Sequence, residues 1–192
     1  GLKRVTYENS TFVSVGNSGT ILTSSDGTTW TSVSIRDFGN SWTSVTSPTD
    51  EDLRGVTFGN NTFVAVGKSG TIVRSTDNGT TWENSTSPTA DNLSDVTFGN
   101  NTFVAVNYNN GNIVRSTDNG SSWDNATTDN STANGLVGVG FGNNTFIGVG
   151  YDGNIVRSTD NGSSWDNATF PTARNLYAVG FGNNTFVAVG SY

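Results

Sequence analysis

The octapeptide Ser75-Thr76-Asp77-Asn78-Gly79-Thr80-Thr81-Trp82 constrains this chain more than any other stretch, because it recurs. Ser116 to Trp123 reads STDNGSSW, and Ser158 to Trp165 repeats those eight letters unchanged. Ser24 to Trp30, SSDGTTW, is the same pattern one residue shorter. The chemistry is that of a turn between two strands. An Asp carboxylate can accept hydrogen bonds from turn N–H groups, and Gly can take a positive φ. Ser and Thr hydroxyls can satisfy further turn groups, and the Trp drops an aromatic anchor into the core as the next strand begins. The turn residues singled out are Asp26, Gly27 and Trp30; Asp77, Gly79 and Trp82; Asp118, Gly120 and Trp123; and Asp160, Gly162 and Trp165.

The spacing turns a motif into an architecture. Trp82, Trp123 and Trp165 are 41 and 42 residues apart, whereas Trp30 to Trp82 is 52. The longer interval holds an insertion in which Trp30-Thr-Ser-Val-Ser is echoed by Trp42-Thr-Ser-Val-Thr. A second motif runs in phase: Val56 to Val66 (VTFGNNTFVAV) returns as Val96 to Val106, Val139 to Val149 and Val179 to Val189, with Val5 to Val15 as a diverged copy. One unit parses as strands Leu53 to Gly59, Thr62 to Gly67, Thr71 to Ser75 and Thr80 to Ser85. Gly59-Asn60-Asn61 is a hairpin turn between the first two. In the second strand Phe63 and Ala65 point one way and Val64 and Val66 the other. A strand apolar on both faces is buried on both, as where blades pack face to face.

A period near 42 with four strand-like pieces per unit predicts an all-β propeller of four-stranded blades. The repeats run over about 2–52, 53–92, 93–135 and 136–175, with a partial fifth at 176–192, in one domain spanning 1–192. That is four complete blades plus a two-stranded piece. Either four blades close with a spare hairpin, or the ring is open and something else completes it.

With those residues in view, the octapeptide resembles the Asp-box (BNR) turn of sialidase-like and sortilin-like propellers. The unit L-x-x-V-x-F…F-V-A-V-G-x-x-G-x-I-x-x-S-x-D-x-G-x-x-W is also similar to repeats of bacterial surface and secreted proteins. More loosely, it resembles the photosystem II assembly-factor propellers. Sialidase chemistry, as that resemblance implies, needs an arginine cluster, a tyrosine nucleophile beside a glutamate, and an aspartate acid/base. Arg74, Arg115 and Arg157 occupy one repeat position just before each octapeptide and are dispersed around the ring, while Arg4, Arg36, Arg54 and Arg174 share no such place. Glu8, Glu51 and Glu83 share no repeat position and no matched tyrosine. No catalytic residue is assigned, and the chain is expected not to be an enzyme.

Composition narrows the partners. Net charge is −7 with no basic stripe, so nucleic acid is a poor partner. Cys, His and Met are absent, which removes disulfides, thiolate sites and the commonest metal ligand. The box aspartates lie a blade apart, so backbone hydrogen bonding explains them better than calcium does. No metal or cofactor is expected. Nor does any run approach the ~18 apolar residues of a membrane-spanning helix. The chain starts at Gly1 rather than Met, as a processed form would, and removal of a signal peptide is one route to such a start.

Asn-x-Ser/Thr sequons are dense: Asn9, Asn60, Asn78, Asn84, Asn92, Asn100, Asn119, Asn125, Asn130, Asn143, Asn161, Asn167 and Asn183. They are candidate glycosylation sites, although Asn and Thr are also ordinary turn and edge residues. The leading functional expectation is an extracellular or cell-surface structural protein. It would self-associate through the edge of the partial fifth blade, with glycans or surface proteins as further partners. The alternative is a lectin-like module, with Trp42, Tyr108, Tyr151 and Tyr177 available to stack on sugars but not at equivalent blade positions. A protein-binding assembly factor comes third.

Overall fold

In a computed structural model of the chain, residues 1–8, 11–24, 43–128, 135–168 and 173–191 are described. The first sheet contains β1 (Leu2–Glu8), β2 (Thr11–Gly16), β3 (Ile21–Ser24) and β4 (Thr43–Ser44). The second contains β5 (Leu53–Gly59), β6 (Thr62–Gly67), β7 (Ile72–Ser75) and β8 (Glu83–Asn84). The third contains β9 (Leu93–Gly99), β10 (Thr102–Asn107), β11 (Ile113–Ser116) and β12 (Asp124–Asn125). The fourth contains β14 (Leu136–Gly142), β15 (Thr145–Gly150), β16 (Ile155–Ser158) and β17 (Ser164–Ala168), and takes β13 (Thr127–Thr128) onto its outer edge. A two-stranded sheet, β18 (Leu176–Gly182) with β19 (Thr185–Gly190), comes last. The fold is an all-β propeller with a partial final sheet, as the period predicted. The only helical residues among those described are two three-residue 3-10 turns, Lys68–Gly70 and Tyr151–Gly153.

Each blade is an antiparallel meander held by tight turns. Asn60 and Asn61 both have positive φ, 47° and 56°, and the same holds at 100–101, 143–144 and 183–184. Two successive left-handed residues form the turn whose twist suits a hairpin, and Asn tolerates that conformation better than most side chains.

The core lies between blades. Val64, Val66 and Ile72 of the second blade pack against Leu93, Val96, Phe103, Ala105, Val114 and Trp123 of the third. Val13, Val15 and Ile21 meet the second blade in the same way, and Val104, Val106 and Ile113 meet the fourth. Every residue of β6 and β10 is buried, so both faces of the second strand are covered as read from its apolar alternation.

Two details depart from the sequence reading. The fourth strand was expected over Thr80 to Ser85 but is only Glu83–Asn84, because Thr80 and Thr81 are held inside the octapeptide turn. The parallel pairing of β13 with β17 was not anticipated. It brings the segment leaving one blade onto the outer edge of the next, with a single Thr86–Ser122 bridge doing the same one blade earlier.

Candidate functional site

Antiparallel pairing gives every blade two distinct ends. One carries the hairpin tips and the octapeptide turns. The other carries the starts of the first strands and the turns between second and third strands.

At the first end the octapeptide is a closed hydrogen-bond unit. Asp118 Oδ1 accepts from the Ser116 hydroxyl (2.7 Å) and the Ser122 amide (3.0 Å), while Oδ2 accepts from the Ser122 hydroxyl (2.6 Å). The Gly120 amide donates to Ser116 Oγ at 2.9 Å, and Trp123 Nε1–H donates back to the Gly120 carbonyl at 3.2 Å. Asp77 with Trp82, and Asp160 with Trp165, repeat the pattern. Burial works against charge on Asp118 and Asp160. The hydroxyl and amide hydrogen bonds outweigh it and hold both carboxyls at about 2. Asp77 is lowered as well, chiefly by the Thr81 amide and hydroxyl. Asp26, Gly27 and Trp30 lie outside the described residues, as do Trp42, Asn9 and Asn130.

These turns also stitch neighbouring blades. Arg74 donates to the Asn119 carbonyl (3.3 Å) and Arg115 to the Asn161 carbonyl (3.2 Å), each in the following blade. Asn60 Nδ2 donates to Asn119 Oδ1, and Asn100 Nδ2 to Asn161 Oδ1, both at 3.1 Å. Arg74 and Arg115 therefore support turns. Of the other sequons, Asn143 and Asn183 sit at hairpin tips, Asn78 lies in a turn, and Asn84, Asn125 and Asn167 lie on outer strands.

Removing the Asp118 carboxylate leaves the Ser122 amide and two hydroxyls without their acceptor. Asp118→Ala should cost about 1–3 kcal/mol at neutral pH by urea denaturation. A lowered carboxyl adds stability above its ordinary value of 3.8 and loses it as pH falls towards about 2. The gap between wild type and variant should therefore close over that window. A gap independent of pH would show that the carboxylate does not hold the turn.

The second end holds a cavity of about 510 Å³. Two sets of repeat-equivalent positions line it. The second residue of each first strand contributes Lys3, Arg54, Ser94, Val137 and Tyr177. The residue following the second strand in the first four blades contributes Asn17, Lys68, Tyr108 and Tyr151. Arg4 and Asp52 complete the wall. Tyr108 and Tyr151 thus share one blade position, while Tyr177 occupies another, so only that pair among the described aromatics named above is equivalent. With Tyr177 they serve one cavity rather than one pocket per blade.

The charges here are organised. Arg4 of the first blade reaches Asp95 of the third at 2.8 Å, passing the position where the second blade has Gly55. Asp95 Oδ2 also accepts from the Val139 amide of the fourth blade at 3.1 Å. Burial pushes the Asp95 carboxyl up, with Arg4 and the amides pulling the other way. Lys68 pairs with Asp52 at 2.6 Å, and Asp52 also accepts from the Ser18 amide. Those two hydrogen bonds lower the Asp52 carboxyl. Asn92 occupies the Asp52 position one blade on, accepts from the Ser69 amide and donates to Tyr108 Oη at 3.2 Å. The Arg54 guanidinium lies over the Tyr108 ring, 4.6 Å from its centre.

The family model described as the DUF6242 beta propeller domain matches residues 41–187. The chain belongs to that family. No curated protein matches it in sequence. Among solved structures, the DUF6242 propeller is similar in fold to YCF48 bound to D1 peptide, with TM-score 0.68 and 18% identity over 95% of this chain. It is likewise similar to YCF48 from Cyanidioschyzon merolae, with TM-score 0.67 and 20% identity over 95% of this chain. The propeller of a nidogen/laminin complex aligns with TM-score 0.72 and 12% identity, covering 98% of this chain and 72% of that one. The chain spans 57% and 60% of the two YCF48 chains' lengths. At these identities the likeness shows the fold.

Proposed function

We propose that this DUF6242 propeller is a non-catalytic binding protein that holds a segment of a partner protein in the cavity at the strand-start end of its blades. The observation that carries the reading is convergence. Four of the chain's nine cationic side chains and three of its five tyrosines, drawn from five successive blades, line one cavity. Its volume falls within the ~300–1,000 Å³ usual for ligand sites, and amphipathic Tyr rings with Lys and Arg are the side chains that carry binding energy at protein interfaces. The YCF48 structure with a bound peptide supports the reading as an analogue in fold. The dense sequons support an extracellular or cell-surface setting.

Panning a random peptide library against the immobilised chain tests this. Retained peptides should compete with one another and lose binding on Tyr108→Ala, where the Arg54 stack and the Asn92 hydrogen bond are both removed. A library with no retained members, at micromolar concentrations of chain, would end the proposal.

A second reading, association between subunits through the edge of the partial blade, rests on β19. Val187 and Val189 are 59% and 57% exposed there, while the equivalent Val64 and Val66 are fully buried against the next blade. Light scattering on the same samples reads it out, since a monomer at every concentration excludes it.

A further inference from the structure

The repeats in this chain serve as internal controls for one another. The five first strands read LKRVTYE, LRGVTFG, LSDVTFG, LVGVGFG and LYAVGFG. Leu at the first position and Val at the fourth are the same in all five, and the sixth is always aromatic. The second position is different in every copy: Lys3, Arg54, Ser94, Val137 and Tyr177. All five of these line the cavity. Exposure alone does not account for such divergence. Asp118 and Asn119 are exposed yet repeat unchanged as Asp160 and Asn161, and the arginine before each octapeptide is the same in three blades. The fold fixes the positions that pack between blades and close turns, and it leaves the second position of the first strand free to differ while placing it on the cavity in every repeat.

Resting on the partner-segment reading above, we propose that this cavity selects an acidic polypeptide segment, with Lys3 and Arg54 as its carboxylate anchors. The remaining cavity cations are already committed, Arg4 to Asp95 and Lys68 to Asp52. Among the described residues, Lys3 and Arg54 have no carboxylate within ion-pair distance. The Arg54 guanidinium is held over the Tyr108 ring at 4.6 Å, and a guanidinium so placed is suited to a planar, bidentate acceptor such as a carboxylate. Tyr151 and Tyr177, 36% and 46% exposed, offer ring faces beside those anchors. A chain of net charge −7 repels acidic peptides in general, so an acidic ligand is held only by a local cluster of this kind.

Fluorescence anisotropy with three labelled peptides of about 12 residues decides it, the length being that of a short extended segment. One alternates Leu with Glu, the second has Gln in place of Glu, and the third has Lys. The Glu peptide should bind, the Gln peptide should bind about tenfold or more weakly, and the Lys peptide should not bind. Lys3→Glu and Arg54→Glu should each weaken the Glu peptide about 10- to 100-fold. Arg157→Glu, outside the cavity, should leave binding within about twofold. Thermal melts confirm that the variants remain folded. Equal binding of the Glu and Gln peptides overturns the proposal, as does an unchanged affinity on both charge reversals. If the random library retains only neutral or basic sequences, the acidic preference falls while the partner-segment reading stands. If it retains none, both fall.

Discussion

Trp123→Ala should destabilise the chain by about 3–5 kcal/mol, the range for emptying a large aromatic from a core. Trp123 is 5% exposed and sits in the cluster where Val64, Val66 and Ile72 of one blade meet the third blade. Its ring lies 6.4 Å from that of Phe103, a tilted aromatic contact. Truncation opens a void at a blade interface, which close-packed strands on both sides cannot collapse to fill. It also removes the Nε1–H donor that satisfies the Gly120 carbonyl, so the turn loosens together with the core. Urea denaturation followed by far-ultraviolet circular dichroism reads the loss. Trp123→Phe restores apolar volume but not the donor and should fall between wild type and Ala. A loss below about 1 kcal/mol for the Ala variant would place this residue among tolerant surface sites and refute an interblade anchor.

Gly120→Ala should cost about 2–4 kcal/mol although it adds only one methyl group. Gly120 has φ +74°, which a side chain adopts at a cost of roughly 1–2 kcal/mol. An added Cβ would also lie 2.9 Å from Val64 Cγ2 in the preceding blade. Overpacking of that kind adds about 1–3 kcal/mol, since neither the turn nor the buried valine has room to yield. The two contributions separate in a double-mutant cycle. In a Val64→Ala background the steric part disappears, and Gly120→Ala should then cost only about 1–2 kcal/mol. An identical cost in both backgrounds would show that the contact across the blade interface contributes nothing. Gly79 against Thr23 and Gly162 against Val104 repeat the arrangement at 2.9 Å and 2.8 Å. The glycine of the octapeptide is therefore required twice, once by the turn and once by the neighbouring blade.

Only the first of those requirements was legible in the sequence. Asp-x-Gly between strands announces a turn, because carboxylate acceptor and positive φ are properties of neighbouring residues. That Gly120 faces Val64, 56 positions earlier, depends on how blades stack. The same division runs through the arginines. Their repeat position showed that Arg74 and Arg115 do not form a substrate clamp, but their carbonyl partners lie in the next blade's turn. The fourth strand was overestimated because β-favouring Thr80 and Thr81 read as strand, whereas the Asp77 carboxylate holds Thr81 within the turn. Tyr108 and Tyr151 each stand 12 residues after the Val of their own first strand, Val96 and Val139, so their equivalence was legible in the repeat itself.

By itself the sequence determined the strand order within each blade, the hairpin and octapeptide turns, and the two-sided burial of the second strand where a blade lies on each side, as at β6 and β10. Each of these depends on the alternation and turn chemistry of residues close along the chain, and the repeats state it several times over. Tertiary structure alone decided that Lys3, Arg54, Ser94, Val137 and Tyr177 share one cavity, and that Arg4 reaches past the second blade to Asp95. Those residues stand a repeat or more apart in sequence. They come together only because blade-to-blade packing curves the first strands around a common axis, and no local pattern records that curvature.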